Sequence, residues 1–228
     1  MKNKLKSLLA LALSVLIGYA WAADPVATWT DFNTLTSGDY TITKDEACTV
    51  NPDGSVTLGG AGLSYAFKSG DGMYANKVIT VVMDVTLPDT AGTLLTLGLA
   101  TNKIQVNSTG SALTTSYDKG AVRQTGACTA ERTTIAVTYS SSQGVHVYKD
   151  GDLIITDGAL KWGGQNLAKL TIGACDDGDI PLAGTILHSM KIYAAKLSEA
   201  DVGLETERSD YASLSWVASF DGNNSMVG

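Results

Sequence analysis

Histidine is close to absent from this chain, with two residues, His146 and His188, among 228. The three cysteines stand far apart, at 48, 128 and 175, and form no C-x-x-C pair, so the spacing that builds a zinc site is missing. No Gly-x-Ser-x-Gly segment surrounds a serine, which removes the nucleophile of a hydrolase triad. His146 sits between Val145 and Val147, and His188 shares parity with Ile186, Met190 and Ile192, so both read as sheet residues rather than bases. Positive charge is scarce too: 16 Lys and Arg stand against 23 Asp and Glu. Nucleic acid and anionic membranes need clustered cations, so neither is expected as a partner.

Long apolar runs are also lacking. The longest, Leu8–Gly18, is shorter than the roughly 20 residues a membrane-spanning helix needs. It follows Lys2, Lys4 and Lys6 and ends at Ala20-Trp21-Ala22, the three-part pattern of a signal peptide cut after Ala22. No cysteine follows it to carry a lipid, and no transmembrane segment is expected once residues 1–22 are removed. Their loss takes away three lysines and no acid, moving the formal net charge from −7 to −10. The expected location is secreted, cell-surface or periplasmic. Three cysteines in such an oxidising compartment allow one bridge and leave one thiol over, in three pairings.

What the chain does hold is a long succession of short β-branched runs between Ser/Thr/Gly-rich turns, from Trp29 to Tyr193, with no long helical period before Ser198. About 200 residues of this pattern suit one β-sandwich domain. Lys77–Leu87 alternates most clearly, with Ile79, Val81, Met83, Val85 and Leu87 on one face. Leu94–Leu99 and Arg132–Tyr139 behave alike, the latter with Ile135, Val137 and Tyr139 on one side. Asn51-Pro52-Asp53-Gly54 and Ser69-Gly70-Asp71-Gly72 read as turns, and Gly59-Gly60-Ala61-Gly62 as a tight connection. Asp150-Gly151 lies between two β-favouring runs and predicts a type I′ hairpin pairing Val145–Lys149 with Asp152–Ile155. Ser198-Glu-Ala-Asp201 matches a helix capping pattern and predicts one short helical turn.

Strand direction then suggests a disulfide. If Arg132–Tyr139, Val145–Lys149, Asp152–Thr156 and Leu167–Ala174 run successively up and down, Cys128 and Cys175 lie at one end of the sandwich. That predicts a Cys128–Cys175 bridge, with Cys48 free or paired between chains.

Taken in order, the segments VYKDG, LTIG, LAG and MKIYAAKLSEAD resemble the C-terminal half of laminin-G-like and concanavalin A-like jelly roll domains of extracellular proteins. The resemblance covers Trp29–Glu207 in layout and is carried by residues within Val145–Val202. It implies an all-β fold, an antiparallel jelly roll β-sandwich over residues 23–207. The stretch from Gly184 to Tyr193 is one residue longer than usual for that strand, which predicts a bulge. Residues 208–228 form a C-terminal tail. Trp216 and Phe220 there echo Trp29 and Phe32, so the tail is either the start of a second module or an extra strand on the first.

Glycan hydrolases share this fold and need two carboxylates about 5–5.5 Å apart for a retaining mechanism. The Glu-x-Asp-x-Glu type of strand that supplies them is missing, and Glu205 and Glu207 lie past the last strand, where they read as a solvated helix end. The chain therefore reads as a non-enzyme. Domains of this family often carry a calcium ion at the rim, and Asp176, Asp177 and Asp179 are the expected ligands here. Trp162, with Gln165 and Asn166 beside it, suits stacking on a sugar face and bonding its hydroxyls. Tyr74 and Tyr117 are weaker candidates of that sort. Asn107 and Asn223 fit the glycosylation acceptor pattern, which the bacterial proportions of the signal discount.

The leading expectation is a lectin-like module at the cell surface that binds a glycan or an extracellular protein. The alternatives are a structural repeat of a surface protein with no ligand of its own and, third, a glycan hydrolase.

Overall fold

The structure, a computed structural model, describes residues 23–99, 102–118, 120–161, 167–174 and 179–213. In chain order its elements are β1 (Ala27–Trp29), β2 (Thr36–Ser37), β3 (Tyr40–Thr41), β4 (Thr43–Lys44), β5 (Thr49–Val50), β6 (Val56–Thr57) and β7 (Leu63–Ala66). A short helix α1 (Gly72–Asn76) follows, then β8 (Val78–Thr86), β9 (Ala91–Leu99), β10 (Asn102–Thr109), β11 (Ala112–Tyr117) and β12 (Gln124–Ala127). The chain continues through β13 (Arg132–Ser140), β14 (Gly144–Lys149), β15 (Asp152–Asp157), β16 (Lys169–Ile172) and β17 (Ile186–Tyr193) to helix α2 (Glu199–Ser213).

Two antiparallel sheets form the jelly roll sandwich. One has eight strands in the order β15-β14-β13-β8-β17-β6-β5, with β1 also paired to β17. The other has seven, in the order β12-β11-β10-β9-β16-β7-β4. Their facing sides hold one apolar core: Val81, Met83, Ile135, Val137 and Ile192 from the first sheet meet Leu95, Leu97, Ile104, Val106 and Leu170 from the second. The alternation of β8 therefore does what its sequence implies, turning one face into the core.

Local turn chemistry is as expected at several points. Asp150 and Gly151 both have positive φ (50° and 89°), the requirement of a type I′ hairpin, and β14 pairs with β15 through them. Asp150 also accepts hydrogen bonds from Thr133 Oγ1 and the Thr134 N–H, which tie the turn to β13. The extra residue before Tyr193 is a bulge, with the β17–β8 register shifting between Leu187 and Ser189, on either side of His188. The turn expected at Ser69–Gly72 opens directly into α1.

Two expectations change. The predicted helical turn is a helix of 15 residues that runs past Glu207 to Ser213. Its capping box is the one read from sequence: Ser198 Oγ accepts from the Asp201 N–H, and Asp201 Oδ2 accepts from the Ser198 N–H and hydroxyl. What extends it is tertiary. The outer face of the eight-stranded sheet offers Val82, Ala136, Tyr148 and Tyr193, and Leu197 and Val202 pack on them as a second buried cluster. Glu205 is consequently buried, with its carboxylate 2.6 Å from Lys191 Nζ, rather than solvated.

The second change concerns β16. It does not continue the up-and-down run of β13, β14 and β15 but crosses to the other sheet, between β9 and β7. Gly62 makes this possible at the β7 side: its φ is +75°, and a Cβ there would collide with the Ile172 carbonyl oxygen.

Candidate functional site

The crossing of β16 assembles a row of polar side chains on one face of the seven-stranded sheet. Register pairs Thr43 with Ser64, Ser64 with Thr171, Thr171 with Thr96, Thr96 with Gln105, and Gln105 with Ser116. Each of these residues alternates with core-facing neighbours such as Leu63, Ile172, Leu95 and Ile104, so all lie on the outer face of the seven-stranded sheet. Six adjacent strands thus contribute one hydroxyl or amide each to a single row, about 24 Å long at the usual strand spacing. The row runs from exposed Thr43 through half-buried Ser64 to buried Thr171, Thr96, Gln105 and Ser116.

A second tier stands beside it. Thr93 Oγ1 donates to Asn107 Oδ1 at 2.9 Å, and Asn107 Nδ2 donates to Ser116 Oγ at 3.0 Å. The side-chain amide of the one acceptor-pattern asparagine that is described is thereby already engaged. By contrast, Thr96 Oγ1 and Thr171 Oγ1 are buried and have no hydrogen-bond partner. A buried unpaired hydroxyl costs about 1–3 kcal/mol.

Lys103 lies on the same face, two residues before Gln105. Its ammonium is 2.7 Å from Asp179 Oδ2, and the two side chains are 0% and 2% exposed. This pair draws the chain after β16 against the outer face of the sheet. Asp179, expected as a calcium ligand, has this ammonium at its carboxylate. Among the described residues no cluster of His, Cys, Asp and Glu is arranged to hold a metal.

Of the other residues picked out by sequence, Trp162, Gln165, Asn166, Asp176, Asp177 and Cys175 lie outside the described residues. In the chain they lie before and after β16. Tyr74 lies in α1 and packs against the core. Tyr117 is at the far end of β11, beside Val122 and Arg123 in a shallow hollow.

The expected Cys128–Cys175 bridge is not formed. Cys128 is a buried free thiol, and burial pushes its pKa up. The reason lies in strand order: Cys128 follows β12, four strands or about 19 Å from β16. Three residues beyond Ile172 reach at most about 10 Å. Cys48 is also free and buried, and its thiol donates to the Gly59 carbonyl at 3.2 Å.

The two histidines sit on the outer face of the other sheet. His188 Nε2 is 2.9 Å from Thr86 Oγ1, and its pKa is lowered, first by burial and then by the nearby Arg132. Sequence reading missed Thr96, Thr171 and Lys103. Their outward parity was visible, but nothing local showed which strands would bring them together.

No protein-family model matches the chain, and no curated protein matches it. Solved structures do. A Trypanosoma rangeli sialidase, in complex with 2,3-difluorosialic acid as a covalent intermediate, superposes with a TM-score of 0.64 at 16% identity, over 82% of this chain and 33% of that one. The binding domain of botulinum neurotoxin DC, in complex with rat synaptotagmin II, gives 0.61 at 12% identity, over 81% and 51%. The fold these structures share with the chain is an antiparallel β-sandwich. A structure of botulinum neurotoxin type C, described as dependent on two ganglioside molecules for cell entry, gives 0.60 at 13% identity, over 82% of this chain and 51% of that one. The chain spans about a third of the sialidase and half of the toxin domains, and the likeness at such identity is one of fold.

Proposed function

We propose that this chain is an exported, non-catalytic carbohydrate-binding module of the laminin-G-like kind, and that an extended glycan lies along the outer face of its seven-stranded sheet. The observation that carries this reading is the pair of buried, unpartnered hydroxyls of Thr96 and Thr171 in a row of polar side chains. A sugar hydroxyl is both donor and acceptor and completes both bonds, recovering the cost the free protein bears. Thr43 and Ser64 continue the row to an open edge, from which a chain enters.

Two further points support it. Asp179 at this face is paired with Lys103, so its carboxylate is not free to act in glycoside hydrolysis. Among the solved structures of like fold, the type C toxin is described with gangliosides and the DC toxin binding domain with rat synaptotagmin II. Glycan recognition is preferred over protein docking because the row is made of hydroxyls and amides with no apolar anchor among them.

A glycan array probed with the secreted protein tests the reading. Binding that falls several-fold in both Thr96→Val and Thr171→Val supports it. Binding unaffected by either change, or absent across neutral and acidic glycans, removes it. Export is tested separately, by N-terminal sequencing of protein from the medium or periplasm: a start at Ala23 is expected, and a start at Met1 sinks it.

A further inference from the structure

On the opposite side of the molecule, where α2 begins against the eight-stranded sheet, lies an open groove of about 550 Å³. Ser140, Gln143, His146, Lys196, Ser198 and Glu199 are among the residues that line it. Lys196 is half-buried and its Nζ donates to Gln143 Oε1 at 2.6 Å and to His146 Nε2 at 3.3 Å. An ammonium only donates, so His146 Nε2 is the acceptor and the imidazole is neutral, with its Nδ1–H facing Tyr148 Oη at 3.4 Å. Burial lowers the pKa of both Lys196 and His146, and the Lys196 charge lowers that of His146 further.

This ammonium is compensated by neutral groups. Lys191, Lys149 and Lys103 each place a carboxylate oxygen within 2.7 Å of Nζ, at Glu205, Glu131 and Asp179. Among the described residues Lys196 has no such bridge, and one N–H of its three remains after Gln143 and His146 are served. The amide nitrogen of Gln143 is left to donate as well, because its oxygen is the atom that receives Lys196. A desolvated cation beside a free amide donor in an open groove is built for an anion.

We propose that this groove binds the carboxylate of an acidic sugar, with Lys196 as its charge partner and Gln143 Nε2 as the second donor. One cation suits a single negative charge; a dianionic phosphate leaves one charge uncompensated and is repelled more strongly by the Glu199 carboxylate at the rim. Ser140 and Ser142 at the groove match the hydroxyls that a uronic acid ring carries beside its carboxylate. The site is independent of the hydroxyl row on the other sheet. The net charge of −7 over the whole chain keeps polyanions off the rest of the surface, so attachment is local.

The test is calorimetric titration of the full chain with tetragalacturonate, its methyl ester and a hyaluronan tetrasaccharide. At least one acid form should bind, and the methyl ester, which keeps the ring and loses the charge, should bind at least tenfold more weakly than tetragalacturonate if that is the acid bound. Lys196→Met should cost tenfold or more in affinity with little change in melting temperature, and Lys196→Arg, which keeps the charge, should retain most of it. Thr171→Val should leave this binding unchanged, separating it from the hydroxyl row. The proposal is overturned if neither acid binds, if tetragalacturonate and its ester bind alike, if Lys196→Met binds as the unaltered protein does, or if inorganic phosphate competes better than acetate.

Discussion

Thr96 and Thr171 stand directly opposite one another in the β9–β16 ladder, with both hydroxyls buried on the outer face of the sheet and neither bonded. Both lie on the face that neighbouring Leu95 and Ile172 turn away from, toward the core.

Replacement of either threonine by valine keeps the β-branched shape and deletes the orphan hydroxyl. The free protein should gain about 1 kcal/mol per site, read as a higher denaturant midpoint with an unchanged slope. A loss of stability instead means that the hydroxyl is satisfied in solution. A substitution that stabilises the free protein while weakening glycan binding is the signature of a hydroxyl reserved for a ligand.

Lys103 and Asp179 make the opposite case, a buried pair in which each charge depends on the other. Lys103→Met leaves a carboxylate in a dry site without its ammonium and should cost about 3–5 kcal/mol. The double change Lys103→Met with Asp179→Leu should recover most of that loss. Equal destabilisation in single and double variants, in urea melts, argues against the buried pair.

The two histidines predict an acid-sensitive fold. Burial lowers the pKa of His146, which faces Lys196, Glu199 and Tyr148, and of His188, which faces Arg132, Asp84, Asp53 and Thr86. A lowered folded-state pKa means that the unfolded chain binds more protons, so stability is full above the unfolded value of about 6.5 and falls as pH drops from there toward the folded values. Carboxylates such as Asp45 and Asp53, whose pKa values are lowered by hydrogen bonds, act at lower pH. Denaturation at pH 7.5 and 5.5 should show this loss, and His146→Gln with His188→Gln should reduce it. An unchanged slope in the double variant refutes the assignment.

Cys128 and Cys48 should both react as buried thiols. A thiol reagent such as DTNB should label neither in the native protein and both after denaturation without reductant. Non-reducing peptide mapping that links Cys128 to Cys175 contradicts the strand order described here.

Much of this was legible locally. Asp150-Gly151 specified its hairpin because few other residue pairs adopt positive φ in succession. The alternation of β8 specified which face is buried, the Ser198 and Asp201 pair specified where α2 begins, and one surplus residue before Tyr193 specified a bulge. The helix length was not legible, because it depends on Leu197 and Val202 meeting Val82, Ala136, Tyr148 and Tyr193 from four strands, β8, β13, β14 and β17. The apolar pattern of residues 199–213 alone is too weak to announce it.

The sequence by itself therefore determined the class of fold, the turns and the strand faces, all of which follow from backbone preferences and side-chain period within a few residues. Tertiary structure alone decided that β16 joins the seven-stranded sheet, and with that the hydroxyl row, the Lys103–Asp179 pair and the separation of Cys128 from the end of β16. Thr96 and Thr171 become neighbours, and Lys196 meets Gln143 and His146, through pairings between distant segments. Those pairings are selected by burial of the whole core, and parity along one strand carries no record of which partner lies beside it.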